Sequence, residues 1–253
     1  MDRALAYQPD HYGLKRHQAG ILVNLDAKQA FEAYKALYEL SPNDAKVVQP
    51  LAQLSMKFKD FDLAEELLTK LSFDPAFSDF ANYSLGAIAE QRKQVFTAMQ
   101  HYSGVKAEPY LLASLRRYEL LSTYYSFGEE FEHHLETLKS TTQGADFIDL
   151  SVHQAEYLLR VDKVDAANTI VEDTLTQYPN DNKLLYTSFL VQQTLGNYQQ
   201  AVKPLEMMVQ RHPDNPTILN ALGYTLSRYL GEHDRAAPLI KSALNLSPND
   251  PAI

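Results

Sequence analysis

Two adjacent histidines, His133 and His134 in Phe-Glu-His-His-Leu-Glu, raise the question of metal or proton-transfer chemistry. Neighbours in a helix point about 100° apart, so this pair cannot share an ion as His-Glu-x-x-His does by stacking two imidazoles on one face. His11, His17, His101, His153, His212 and His233 are scattered and read as surface or turn residues, so no metal site is predicted. Asp149 and Glu156 lie two helical turns apart, too far for carboxylates that share a proton. The glycines form neither a Gly-x-Gly-x-x-Gly run nor a Walker loop, and no Ser/His/Asp set can be picked out. The sequence predicts no catalytic residue and no cofactor. Recognition is the chemistry with better candidates, because sixteen tyrosines and several arginines supply the residue types enriched at binding hot spots.

What positions those residues is a recurring pair of helices. From Asn215 to Asp250 one amphipathic stretch carries Leu219, Leu222, Gly223 and Leu226, and a second carries Ala236, Ile240, Ala243 and Leu246. Gly223 admits the partner helix closely, Ala236 and Ala243 let it settle in the groove, and Pro248 ends it by lacking a backbone donor. Pro179, Pro213 and Pro248 fall 34 and 35 residues apart in Tyr-Pro-Asn-Asp, His-Pro-Asp-Asn and Ser-Pro-Asn-Asp turns, and Pro9 and Pro42 fall 33 apart. Ala30, Ala64, Ala98, Ala167, Ala201 and Ala236 recur early in each second helix, followed four residues later by Tyr34, Leu68, Tyr102, Val171, Leu205 and Ile240.

This spacing resembles the tetratricopeptide repeat, a helix–turn–helix unit of about 34 residues. The resemblance implies an all-α, right-handed superhelical solenoid of about seven repeats, read as a single array over 1–253. Residues 11–146 hold repeats His11–Asn43, Asp44–Ala76, Phe77–Pro109 and Tyr110–Asp146, and 147–250 hold Phe147–Asp181, Asn182–Asn215 and Pro216–Asp250. The fourth is degenerate: Phe131, Leu135 and Leu138 stripe its second helix without the small alanine, and Thr141–Gly144 is the expected bend. Residues 1–10 read as the end of a preceding repeat and 251–253 as the start of another, as expected of an excised piece of a longer protein. In such folds the first helix of each pair lines the concave side. Alignment to the last repeat puts Phe80, Tyr83, Arg116, Tyr124, Arg160, Lys183, Tyr186, Asn220, Tyr224 and Arg228 there as candidate partner-binding residues, with Val152 and Glu156 beside them.

Composition narrows the partners. A net charge of −9 disfavours general nucleic-acid binding, which needs clustered Lys and Arg. The chain has no cysteine, so disulfides and thiolate metal sites are excluded. No stretch approaches the ~20 apolar residues of a membrane span, so a membrane would be reached only through an anchor outside this sequence. The partner expected is a protein or peptide, with self-association through exposed repeat ends as a further expectation.

A narrower resemblance rests on Leu219-Asn-Ala-Leu-Gly-Tyr-Thr-Leu226, Pro238–Ile253 and Tyr83-Ser-Leu-Gly-Ala-Ile-Ala-Glu90 with Ala98-Met-Gln-His-Tyr102. These segments are similar to bacterial tetratricopeptide lipoproteins of the periplasm and outer membrane, one type of which is an adaptor for a carboxy-terminal processing protease. The resemblance implies a periplasmic, non-catalytic scaffold. The competing expectation is a cytoplasmic co-chaperone that clamps acidic peptide C-termini. Of its Lys/Asn clamp positions, only Lys15 is matched among Lys15, Ala19, Gln49, Gln53, Tyr83 and Ala87.

Overall fold

The computed structural model describes residues 11–248 and 250, and among these it contains fourteen α-helices and no strand. The helix tail expected at Met1–Gln8, the Pro9 turn and the further repeat opening at 251–253 lie outside the described residues. The helices run α1 (Tyr12–Leu25), α2 (Ala27–Leu40), α3 (Ala45–Lys57), α4 (Phe61–Ser72), α5 (Ser78–Gln91), α6 (Val95–Ser103) and α7 (Leu111–Tyr124). They continue as α8 (Gly128–Ser140), α9 (Gly144–Arg160), α10 (Val164–Gln177), α11 (Asn182–Thr194), α12 (Tyr198–Arg211), α13 (Pro216–Leu230) and α14 (His233–Leu246). None of the described helices is long and apolar enough to cross a membrane. The chain divides between Phe131 and Glu132 into two compact units, inside the repeat that lacks the alanine.

Local chemistry explains where the helices begin. Asp26, Asp44, Asp60, Asp181 and Asn215 each accept a hydrogen bond from a first-turn backbone N–H, supplying the N-cap that α2, α3, α4, α11 and α13 require. Pro216 then occupies the first turn of α13, where no N–H is missed. The turns between paired helices are also uniform. From the second repeat onward each has one residue in the left-handed region: Lys59, Lys93, Ser126, Asp162, Gly196 and Gly231. That conformation lets the next N–H reach back into the finished helix, as in Asp60 N–H to Ser55 O and Lys163 N–H to Leu158 O.

Packing follows the small-residue register. Ala30, Ala64, Ala98, Ala167, Ala201 and Ala236 are each the fourth residue of a second helix, and all are buried. In the first unit Ala30 and Ala64 sit in a core with Leu51, Leu67, Leu68 and Tyr34. In the second Ala201 and Ala236 pack with Leu205, Leu222 and Leu226. Gly86 faces the Tyr102 ring so closely that a Cβ would lie 2.6 Å from it, and a Cβ at Gly223 would lie 2.6 Å from Ile240. Helix-packing glycines are therefore demanded by the neighbouring side chain.

Polar latches tie successive repeats at about one repeat of separation. In the first unit Tyr12 and Arg16 reach Asp44 at 2.8 and 2.9 Å, and Arg92 spans Asp62 and Glu65 at 2.5 Å each. In the second, Lys163 reaches Glu132 at 2.5 Å, Arg235 reaches Glu206 at 2.5 Å, and Lys183 pairs with Asp149. Exposed pairs of this kind contribute little each. Their value is in fixing the angle at which one repeat meets the next.

Candidate partner-binding face

The binding candidates sort by what their side chains already touch. Phe80 is buried, with its ring 5.9 Å from Tyr110, so this position belongs to the core and not to an open groove. It is a correction to the alignment. Helical phase gives the direction of a residue, and here an aromatic neighbour closes over it. Tyr83 is half-buried between Tyr102 and Tyr110, 6.1 and 5.6 Å away, and Tyr186 packs against Phe189 at 5.6 Å. Lys183 is exposed, but its ammonium is engaged with Asp149. Arg160 is exposed and Asn220 half-buried, and both have interactions of their own.

Arg116, Tyr124, Tyr224 and Arg228 differ from these. All four are exposed, and neither Arg116 nor Arg228 has an ion-pair or hydrogen-bond partner among the described residues. Arg116 and Tyr124 lie on α7 in the first unit, and Asn220, Tyr224 and Arg228 lie on successive turns of α13 in the second. The Tyr224 ring is braced edge-on by Tyr229 at 5.9 Å, and Tyr229 stacks flat on Tyr198 at 4.0 Å with 6° between the planes. Sequence reading missed the Tyr198–Tyr229 stack. Its signal was pairing at nearly one repeat, 31 residues, which the search for conventional groove positions passes over.

This arrangement can hold a partner side chain without reorganising. A guanidinium that need not break an existing bond offers a bidentate site for a carboxylate. A tyrosine braced by a second that itself stacks on a third loses little rotamer entropy on contact. Among the described residues no group of three or more His, Asp or Glu is arranged to hold a metal ion. A separate cavity of about 370 Å³ lies between α8, α9 and α10, lined by Glu136, Lys139, Phe147 and Asp173. Its Lys139 donates to Gln154 Oε1 at 2.6 Å, and burial pulls the ammonium below the ordinary lysine range against the opposing pull of Glu136 and Asp173.

The histidines correct the surface reading as well. His153 is buried, and His134 and His101 are partly so. Burial lowers the pKa of His134, with His133 adding to the effect, and burial lowers that of His101 against a smaller opposing pull from Glu65. Both folded-state values lie below the ordinary histidine value of 6.5, so the unfolded chain takes up protons first as pH falls. Their contribution to stability is complete above that value and is lost as pH drops below it. The melting temperature is therefore expected to fall between neutral pH and about pH 5.5, with a shallower fall in a His101→Asn/His134→Gln variant. Equal slopes in the two proteins would assign the acid loss to other groups.

Second helices recurring every 33 to 36 residues, a buried alanine at the fourth position of six of them and glycine-mediated close approach make up the tetratricopeptide-repeat architecture. A tetratricopeptide repeat-containing protein of Pseudomonas aeruginosa is 34% identical over 177 residues, covering 69% of this chain and 30% of that protein. The chain thus spans less than a third of that relative's length. No protein-family model matches the chain. Among solved structures, MamA is 16% identical, covering 68% of this chain and 93% of its own, with a TM-score of 0.48. YrrB, described as a tetratricopeptide protein with an unusual peptide-binding site, is 14% identical, covering 88% of this chain and 96% of its own, with a TM-score of 0.41. The Naa15/Naa10 complex bound to HypK gives 15% identity, 99% and 39% coverage and a TM-score of 0.49.

Proposed function

We propose that this scaffold grips an extended or helical segment of a partner protein on the Asn220–Tyr224–Arg228 face of α13. The observation that carries the reading is the Arg228 guanidinium, unpaired among the described residues, one helical turn from an exposed Tyr224 whose ring is braced by Tyr229, itself stacked on Tyr198. The complementary segment presents a carboxylate to Arg228 and an apolar or planar side chain to Tyr224. In the full-length protein this face serves a periplasmic adaptor that delivers substrates to, or activates, a processing protease or envelope enzyme. Support for the compartment comes from the resemblance of Leu219–Leu226 and Tyr83–Glu90 to periplasmic tetratricopeptide lipoproteins. Membrane attachment would come from an anchor outside these residues.

Crosslinking capture from periplasmic and cytosolic extracts of the source cell, side by side, tests the reading. The expected result is enrichment of a peptidase or envelope enzyme from the periplasmic extract, whose affinity Tyr224→Ala and Arg228→Ala each lower by about 10- to 100-fold. Both side chains are exposed, so melting should be unaffected. Capture of chaperones from the cytosolic extract alone would overturn the adaptor role in favour of a co-chaperone. Unchanged affinity in both variants would move the site off α13.

A further inference from the structure

The first unit carries an exposed aromatic patch that neither its core nor the α13 reading uses. On α7, Arg116, Leu120 and Tyr124 occupy successive turns of one face, with Leu120 61% and Tyr124 80% exposed. The Tyr124 ring meets Tyr125, 45% exposed, edge-on at 4.8 Å. Two residues on, Phe127 packs edge-on against Phe96 at 5.2 Å, and Phe96 is itself 69% exposed. At roughly 200 Å² for a large side chain, Leu120, Tyr124 and Tyr125 leave about 370 Å² of side-chain surface exposed at the end of α7, in the range of the largest patch on a lone soluble protein.

The rim decides what covers it. Arg116 lies two turns before Tyr124 and Glu129 and Glu130 open α8 just beyond it, all exposed and without an ion-pair partner among the described residues. An apolar centre with unpaired charge of opposite sign on its two flanks is complementary to itself under a two-fold rotation, which brings each copy's arginine to the other's glutamates. A large anionic or cationic partner would meet repulsion from one flank. A standard interface buries ~800 Å² per partner, so the apolar centre would supply about half and the charged rim the rest.

The geometry points to a second copy of this chain as the occupant, in an isologous dimer centred on Tyr124 with Arg116 facing Glu129 and Glu130. It stands independently of the α13 reading and uses a face distinct from the repeat ends. Sedimentation equilibrium of the full 253-residue chain at rising concentration tests it. The wild-type mass is expected to double. Arg116→Glu, and separately Glu129→Arg/Glu130→Arg, should each weaken association by about tenfold or more, because each homodimer then faces like charges. An equimolar mixture of the two variants should regain it, since the heterodimer restores both oppositely charged contacts. Tyr124→Ser should weaken association in every background while melting as wild type does. A wild-type chain that stays monomeric, or variants that associate unchanged, would overturn the proposal, as would failure of the mixture to recover.

Discussion

Adding one methyl group at Gly86 is expected to destabilise the first unit, whereas the same methyl at Gly20 is expected to stabilise it. Both glycines sit inside first helices, α5 and α1, and replacing a helix-interior glycine by alanine gains up to about 1 kcal/mol from backbone entropy. At Gly86 that gain is outweighed. A Cβ there would lie 2.6, 2.7 and 2.9 Å from three atoms of the Tyr102 ring. The ring cannot swing away, because Tyr102 is 1% exposed and its hydroxyl donates to Glu90 Oε2 at 2.9 Å. Overpacking of this kind costs about 1–3 kcal/mol, leaving Gly86→Ala less stable by up to about 2 kcal/mol once the full entropy gain is taken off. At Gly20 the nearest neighbour is the Tyr34 hydroxyl at 3.6 Å, an ordinary contact, so the entropic gain survives. Urea unfolding of the two variants should move in opposite directions. Tyr102→Leu added to Gly86→Ala should cost less than the sum of the separate changes, because removing the ring removes the clash. Additive losses would mean that the helix pair yields elsewhere.

That contrast marks how far sequence reasoning reaches. The alanines at the fourth position of six second helices were legible because a repeat displays its packing rule several times over, and periodicity then places each helix. Turn geometry was legible only in part. Gly196 and Gly231 announce a left-handed residue, but Lys59, Lys93, Ser126 and Asp162 adopt the same conformation with nothing in their chemistry to demand it. They are held there by the helices on either side. The site was harder still. Helical phase placed Phe80 and Tyr224 on equivalent faces, yet one is covered by Tyr110 and the other projects into solvent. Which side chain has a partner depends on contacts a repeat or more away, such as Lys183 with Asp149, and periodicity carries no record of them. His153 shows the same limit, since a lone histidine in a helix reads alike on either face until its neighbours are in place.

Restoring the repeat's own alanine in the degenerate fourth repeat is expected to damage the protein. Phe131 is the fourth residue of α8, the position held by alanine in the other six second helices, and like those alanines it is wholly buried. Alignment alone would recommend Phe131→Ala as a repair. The packing argues the reverse. The Phe131 ring meets Tyr118 of α7 edge-on, with centroids 5.4 Å apart and planes at 82°. In the other repeats a small residue lets the paired helix come close; here the Phe131 ring fills that position and meets Tyr118. Truncating one ring leaves a cavity that the backbone must either keep or collapse into, and buried Phe→Ala changes of this kind cost about 3–5 kcal/mol. The expected result is a marked fall in the melting temperature and in the urea midpoint. Tyr118→Ala should be partly redundant with it, because both changes empty the same space. A neutral or stabilising Phe131→Ala would mean that α7 and α8 can close to the spacing of the other pairs, and that the degeneracy of this repeat lies in its sequence alone.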